Sequence, residues 1–354
     1  MTWRTLGLLG LAAWLGMAGA ARFMAVAAGS GDAVAAADLA RVYEEVKTPF
    51  KYGVVLKGPG EHAVDCPSVY RHAGRWWMMY IEFDGGGYET RLAASEDLLQ
   101  WRPVGTILKR GAGGWDAEQV AGYVALQDPR WGGSARLERY DKRYWLSYLG
   151  GALKGYETDP LSIGVAWTRH PDRPVEWQRR PAPVMTPGQP EARPWERLTL
   201  YKSHIIRDPE RRLGAPFIMY YNAKSQSGYE RIGMAVSTNL TDWVRYGQDP
   251  VIDNGSGISG DPQLVRLKDL WVMFYFGAFW RPHAFDTFAV SRDLVHWTKW
   301  TGPDLVAPSE PWDREYAHKP WVVKHRGTVY HFYCAVGDQG RVIGLATSRD
   351  LRHD

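Results

Sequence analysis

Cysteine is scarce in this 354-residue chain, which has only Cys66 and Cys334. That count excludes a small scaffold held by a disulfide framework, and no Cys/His group has zinc-site spacing. Each cysteine sits in an apolar, strand-like stretch where a buried free thiol is common, and a single Cys66–Cys334 bridge stays open. Basic runs are absent as well. A net charge of +4 with no Lys/Arg cluster behind it leaves no electrostatic footprint for nucleic acid. Long apolar runs are limited to one, Leu6 to Ala18, which excludes a chain that crosses a membrane many times.

That single run follows Arg4 and precedes two small-residue sites, Ala18-Gly19-Ala20 and Ala25-Val26-Ala27. The pattern predicts a signal peptide over residues 1–28 and a secreted or periplasmic protein, with an uncleaved anchor as the alternative. Residues 29–49 read as a linker and a short helix. After signal cleavage no membrane contact is expected.

Aromatic residues are plentiful, with 18 Trp and 19 Tyr. They suit a large core, and they suit sugar sites, where a ring face stacks on the apolar face of a pyranose or furanose. They also mark a repeat. Ala, any residue, then Ser or Thr recurs five times, at Ala93, Ala166, Ala235, Ala289 and Ala346. The copies are spaced at about 54 to 73 residues. Trp101, Trp243 and Trp297 each stand eight positions after their Ala, and Trp177 stands at eleven. An aromatic strand precedes every copy, as in "RWWMMYIEF" and "LWVMFYFGAF", and another strand start precedes that. Four strands per unit in five units predict an all-β, five-bladed β-propeller over residues 50–354. The fifth copy ends at Asp354 before its outer strand. "FKYGVVLK", Phe50 to Lys57, is therefore expected to join the last blade and close the ring, since a bare edge would otherwise remain.

In a propeller the innermost strands start around one mouth of a central channel. Alignment of the copies puts Asp65, Asp128, Lys202 to His204, Gly260-Asp261 and His318-Lys319 there. Hydrolysis of a glycosidic bond needs an acid for the leaving oxygen and a carboxylate to activate water or attack the sugar. Asp65 is the expected base or nucleophile and Asp261 its partner, although each precedes or nears a Pro and could instead cap a turn. His318 titrates near neutrality and is a candidate acid or a hydrogen-bonder to substrate. Asp128 with Arg130 is a candidate for a substrate hydroxyl or carboxylate. Lys202, His204 and Lys319 are candidates for an anionic sugar or phosphate. Glu315 and Glu310, before the fifth inner strand, are reserve acids, with Glu82 and Glu118 behind them. Trp280, Trp115 and Trp312 are candidates to stack on sugar.

At these residues the chain resembles the five-bladed propeller glycosidases, the superfamily of glycoside hydrolase families 32, 43, 62, 68, 117 and 130. "DPR" at Asp128, "GDPQ" at Asp261 and the five Ala-x-Ser hairpins carry the likeness. The "NDPNG" stretch of invertases is absent. An Asp base with a His acid is similar to family 117, and "QDPRW" is similar to family 130. The resemblance implies a glycoside hydrolase acting on plant or algal carbohydrate, needing no cofactor, with a structural Ca2+ in the channel of several members. Long loops such as "GGALKGYETDPLS" suggest exo-action. Two alternatives are a glycoside phosphorylase of the same fold and a non-catalytic carbohydrate-binding propeller.

Overall fold

The computed structural model describes residues 33–111 and 113–352, so the expected signal peptide over 1–28 lies outside the described residues. Where a linker and short helix were expected, α1 spans Ala36–Val46. Leu39, Val42 and Val46 recur on one helical face and pack on Leu270, Val290 and Val329. Among the described residues no helix is long and apolar enough to cross a membrane.

The rest is β-structure, in antiparallel sets of four. The strand β1 (Phe50–Leu56) comes first. The first set in sequence is β2 (Ala63–His72), β3 (Arg75–Phe83), β4 (Tyr88–Ser95) and β5 (Arg102–Leu108). The next is β6 (Gln119–Val124), β7 (Tyr144–Gly151), β8 (Ser162–Thr168) and β9 (Gln178–Arg179). Then come β10 (Thr199–Arg207), β11 (Phe217–Lys224), β12 (Glu230–Ser237) and β13 (Trp243–Tyr246). They are followed by β14 (Ile258–Leu267), β15 (Leu270–Ala278), β16 (Ala284–Ser291) and β17 (Thr298–Lys299). Last are β18 (Tyr316–His325), β19 (Thr328–Gly337) and β20 (Gly340–Thr347). β1 pairs antiparallel with β20, Lys51 opposite Ala346, so the earliest strand lies beside the latest. The fold is all-β, with the meandering four-strand sets of a β-propeller.

The repeated motif has a local cause. Ser95, Ser237 and Ser291 accept backbone N–H bonds from Leu98, Leu240 and Leu294 at 2.9, 3.0 and 2.9 Å. Each of those leucines has φ near +70° and no exposed surface. The left-handed backbone costs about 1–2 kcal/mol. Full burial of a leucine side chain contributes about 1.5–3 kcal/mol, so the turn forms without glycine. Each leucine carbonyl then accepts the indole N–H of Trp101, Trp243 or Trp297. Trp101 meets Phe332 edge-on and Trp297 meets Tyr220, which ties one set to another.

One element differs from the sequence reading. The inner strand of the second set is β6, a fully buried run of apolar and small residues, and not the stretch after Asp128. Asp128 follows β6 in the connection to β7, so it leaves the mouth and moves to the far end of the inner strands.

Candidate active site

Four inner strands slip register where the sequence places charge. The slips fall between Asp65 and Ser68, Leu200 and Ser203, Gly260 and Gln263, and His318 and Trp321. In three of them a proline follows a residue of positive φ: Cys66 at 47°, Asp261 at 56° and Lys319 at 63°. Proline offers no N–H to the ladder, so pairing breaks there and the extra residue is re-aimed. Such backbone costs roughly 1–3 kcal/mol per residue and is held by its surroundings. This accounts for an acidic residue at the mouth of an otherwise apolar strand: Asp261 lines a cavity of about 230 Å³.

Asp65 does not line that cavity but lies buried beneath it. Its Oδ2 accepts from Tyr156 Oη at 2.5 Å, Lys319 Nζ at 2.9 Å and Arg341 at 3.2 Å. Burial pushes its carboxyl up, but Lys319 and Arg341 outweigh it and hold it well below the usual carboxylate range. Lys319 is the hub. It also donates to Glu157 at 2.8 Å, and its carboxylate partners override burial to keep it a firm ammonium. Asp261 is 3.7 Å from Lys202, and burial raises its carboxyl despite Lys202 and Lys319.

His318 lines the cavity, with Nδ1 3.2 Å from the Cys334 carbonyl and Nε2 3.4 Å from Arg341. Burial first, then Arg341 and Lys319, push its imidazole well down. That corrects the expectation that His318 titrates near neutrality and serves as the acid.

Two cavity carboxylates escaped the sequence reading. Glu157 sits in the loop between β7 and β8, with φ at 47° and its carboxylate on Lys319. Glu230 opens β12 and accepts from Asn222 at 2.9 Å. Burial lifts its carboxyl from 4.5 to about 7, with Glu157 adding to the lift and Asn222 opposing it. A positional signal existed. In three of the five copies the residue five before the motif Ala lines the cavity: Glu230, Ala284 and Arg341.

Other expected residues lie elsewhere. Asp128 and Arg130 form a two-point ion pair at 2.9 Å, held by Ser134, at the far end of the inner strands. His204 is there too. Its Nδ1 accepts the Leu264 N–H at 3.0 Å, and burial brings its imidazole to about 3. Glu315 is exposed and outside the cavity lining. Trp280 is anchored to the Ile258 carbonyl at 2.8 Å, and its neighbour Phe279 reaches the cavity instead. Cys66 and Cys334 are free and buried. The channel does not fit the Ca2+ of the resemblance. The ammonium groups of Lys202 and Lys319 occupy it, and among the described residues no three His, Cys, Asp or Glu side chains gather for a metal.

The cavity has a floor. Lys202 is buried over the rings of Tyr123 and Trp321. Below it Gln263 bonds both the N–H and the carbonyl of Val322, and Trp321 bonds Val69. These side chains fill the space between the cavity and the far end of the inner strands.

No sequence family profile matches the chain, and no curated protein matches it. Solved structures do. One, described as a complex of BT0996 with RGII, is 41% identical over 90% of this protein and 96% of that one, with a TM-score of 0.85. Another, described as a glycoside hydrolase, is 41% identical over 91% and 97%, with a TM-score of 0.86. Zg3597, a family 117 glycoside hydrolase of the marine bacterium Zobellia galactanivorans, is 15% identical over 88% and 93%, with a TM-score of 0.62, a likeness of fold.

Proposed function

The chain belongs to the glycoside hydrolases of β-propeller fold, and from that premise we propose that it removes terminal sugars from a plant or algal polysaccharide or oligosaccharide. The complex of the 41%-identical neighbour with RGII supports a carbohydrate substrate. The observation that carries the mechanism is the unlike setting of two carboxylates in one cavity. Glu230 is lifted to about 7 by burial, and Glu157 is paired with the Lys319 ammonium. Two carboxyl groups in such different surroundings divide into acid and base.

In this reading Glu230 carries the proton that the leaving oxygen takes as the glycosidic bond breaks. Glu157 supplies the negative charge at the anomeric carbon, either attacking it or taking a proton from water. Asp65 is a positioning residue: it fixes Lys319 and Tyr156, and through them Glu157. Neutral His318 and the Arg341 guanidinium face the sugar as hydrogen-bonding groups, and Asp261 completes the cavity wall. Phosphate transfer has less support, because Lys319 is already shared between two carboxylates and His204 points elsewhere. The remaining readings are a ring of five blades closed by β1, and a secreted or periplasmic location.

Sizing of early products from an RGII-derived oligosaccharide tests exo-action. A single monosaccharide at early times supports it. A ladder of shorter oligosaccharides would exclude it.

A further inference from the structure

The far end of the inner strands carries charge that the cavity chemistry does not use. Arg71 is the penultimate residue of β2, Arg136 and Arg139 lie in the connection between β6 and β7, and Arg326 turns the hairpin from β18 to β19. Arg71 and Arg136 are joined by an isolated parallel bridge. The guanidinium of Arg71 lies 5.7 Å over Trp76, that of Arg139 lies 4.8 Å over Tyr144, and His325 meets Trp76 edge-on at 5.1 Å. The group is therefore contiguous across the first, second and last strand sets.

Among the described residues none of these four arginines has a carboxylate partner, and Arg71 Nε is buried without a hydrogen bond. Nearby arginines are different. Arg75 pairs with Glu96 at 2.6 Å, and Arg130 pairs with Asp128. Arg136, Arg139 and Arg326 are exposed. The two histidines between them register the field. Burial lowers both, and Arg139 and Arg136 add to it at His72, as Arg71 and Arg326 do at His325. Asp172, which acts in the opposite sense on His72, is the acidic neighbour at the edge.

We propose that this arc of arginines is a docking surface for an acidic stretch of polysaccharide, a run of sugars bearing carboxylates. A guanidinium presents a planar fork that matches a carboxylate in two-point contact, and exposed unpaired forks lose little by engaging one. In the cavity Lys319 and Arg341 already pair with Asp65 or Glu157, whereas the arginines of the arc have no such partners. The arc lies at the opposite end of the inner strands, so a polymer held there leaves the cavity mouth clear. The proposal extends the reading above from the sugar that is cleaved to the polymer that carries it.

Affinity electrophoresis of the full chain through gels containing sodium polygalacturonate tests it, with dextran as the neutral control. Retardation by polygalacturonate, absent with dextran, is expected at low salt. The triple variant Arg136→Glu, Arg139→Glu, Arg326→Glu should bind roughly tenfold more weakly or worse. Its turnover of a small aryl glycoside should be unchanged, which separates loss of docking from loss of the active site. The corresponding triple Lys variant keeps the charge and should bind with intermediate strength. No retardation of the natural chain, or equal retardation of the charge-reversed one, overturns the proposal. So does tighter binding to phosphatidylglycerol vesicles or to duplex DNA than to polygalacturonate.

Discussion

Replacing Glu230 with glutamine removes one proton and little else. Glutamine keeps the length of the side chain and an oxygen to accept from Asn222, which now donates at 2.9 Å. Raising the carboxyl from 4.5 to about 7 means that ionisation costs about 3 kcal/mol more here than in water. Two outcomes follow with opposite sign. Catalysis should fall by roughly a hundred- to ten-thousand-fold on natural linkages, the usual range for a general acid. An aryl glycoside with a good leaving group, which needs little protonation, should lose much less. The natural enzyme should lose activity on natural linkages as pH rises through about 7, and the variant should lack that limb. Stability should move the other way. A carboxyl raised in the folded state contributes stability that is present in full below about pH 4.5 and lost as pH rises through about 7. Above pH 8 the variant should therefore melt at a higher temperature than the natural chain, by an amount set by up to about 3 kcal/mol. Release of reducing sugar across pH, paired with calorimetry on the same samples, checks both. Equal losses on both substrate types, with an unchanged alkaline limb, would refute the acid assignment.

Asp65→Asn should leave Lys319 with one carboxylate instead of two and lower kcat by on the order of a hundredfold, with KM changed less; near-normal kcat would remove Asp65 from the positioning role. His318→Gln, which keeps a hydrogen-bonding side chain, should raise KM more than it lowers kcat, and the pH profile should keep its shape. Asp128→Asn should leave both constants unchanged in steady-state assays, since Asp128 sits beyond the floor of the cavity. Deleting residues 50–57 should strip β1 from β20 and reduce soluble protein sharply; equal yield and melting temperature would show that the edge of β20 needs no cover. Ser237→Ala should cost about 1 kcal/mol in urea melts, the usual loss for a side-chain cap on a turn.

The repeat was legible in the sequence because its chemistry is short-ranged. Serine, leucine and tryptophan fall within a few positions of one another, and the serine oxygen, the left-handed leucine and the indole N–H act within one turn. The mouth residues Asp65, Asp261 and Lys319 were legible because they share a register with that repeat. Asp128 was misplaced because the connection after β6 imitates a strand start, while the true inner strand lacks charge. Glu157 was hidden for the opposite reason. It hangs from an irregular loop, and it meets the inner strands only through its ion pair with Lys319. Glu230 carried no local signal of burial, because only the tertiary contacts of Asn222 and the cavity wall take it out of water. Burial, which sets its chemistry, has no local signature.

The floor of the cavity has a kinetic meaning. Under the proposed removal of terminal sugars, a floor of packed side chains obliges the freed sugar to leave by the way the chain end came in. On that reading the shortened polymer has to withdraw first, and each visit is expected to yield one cut without threading along the substrate. A population of chains should thus shorten evenly, and free monosaccharide should compete with the next chain end for the same space.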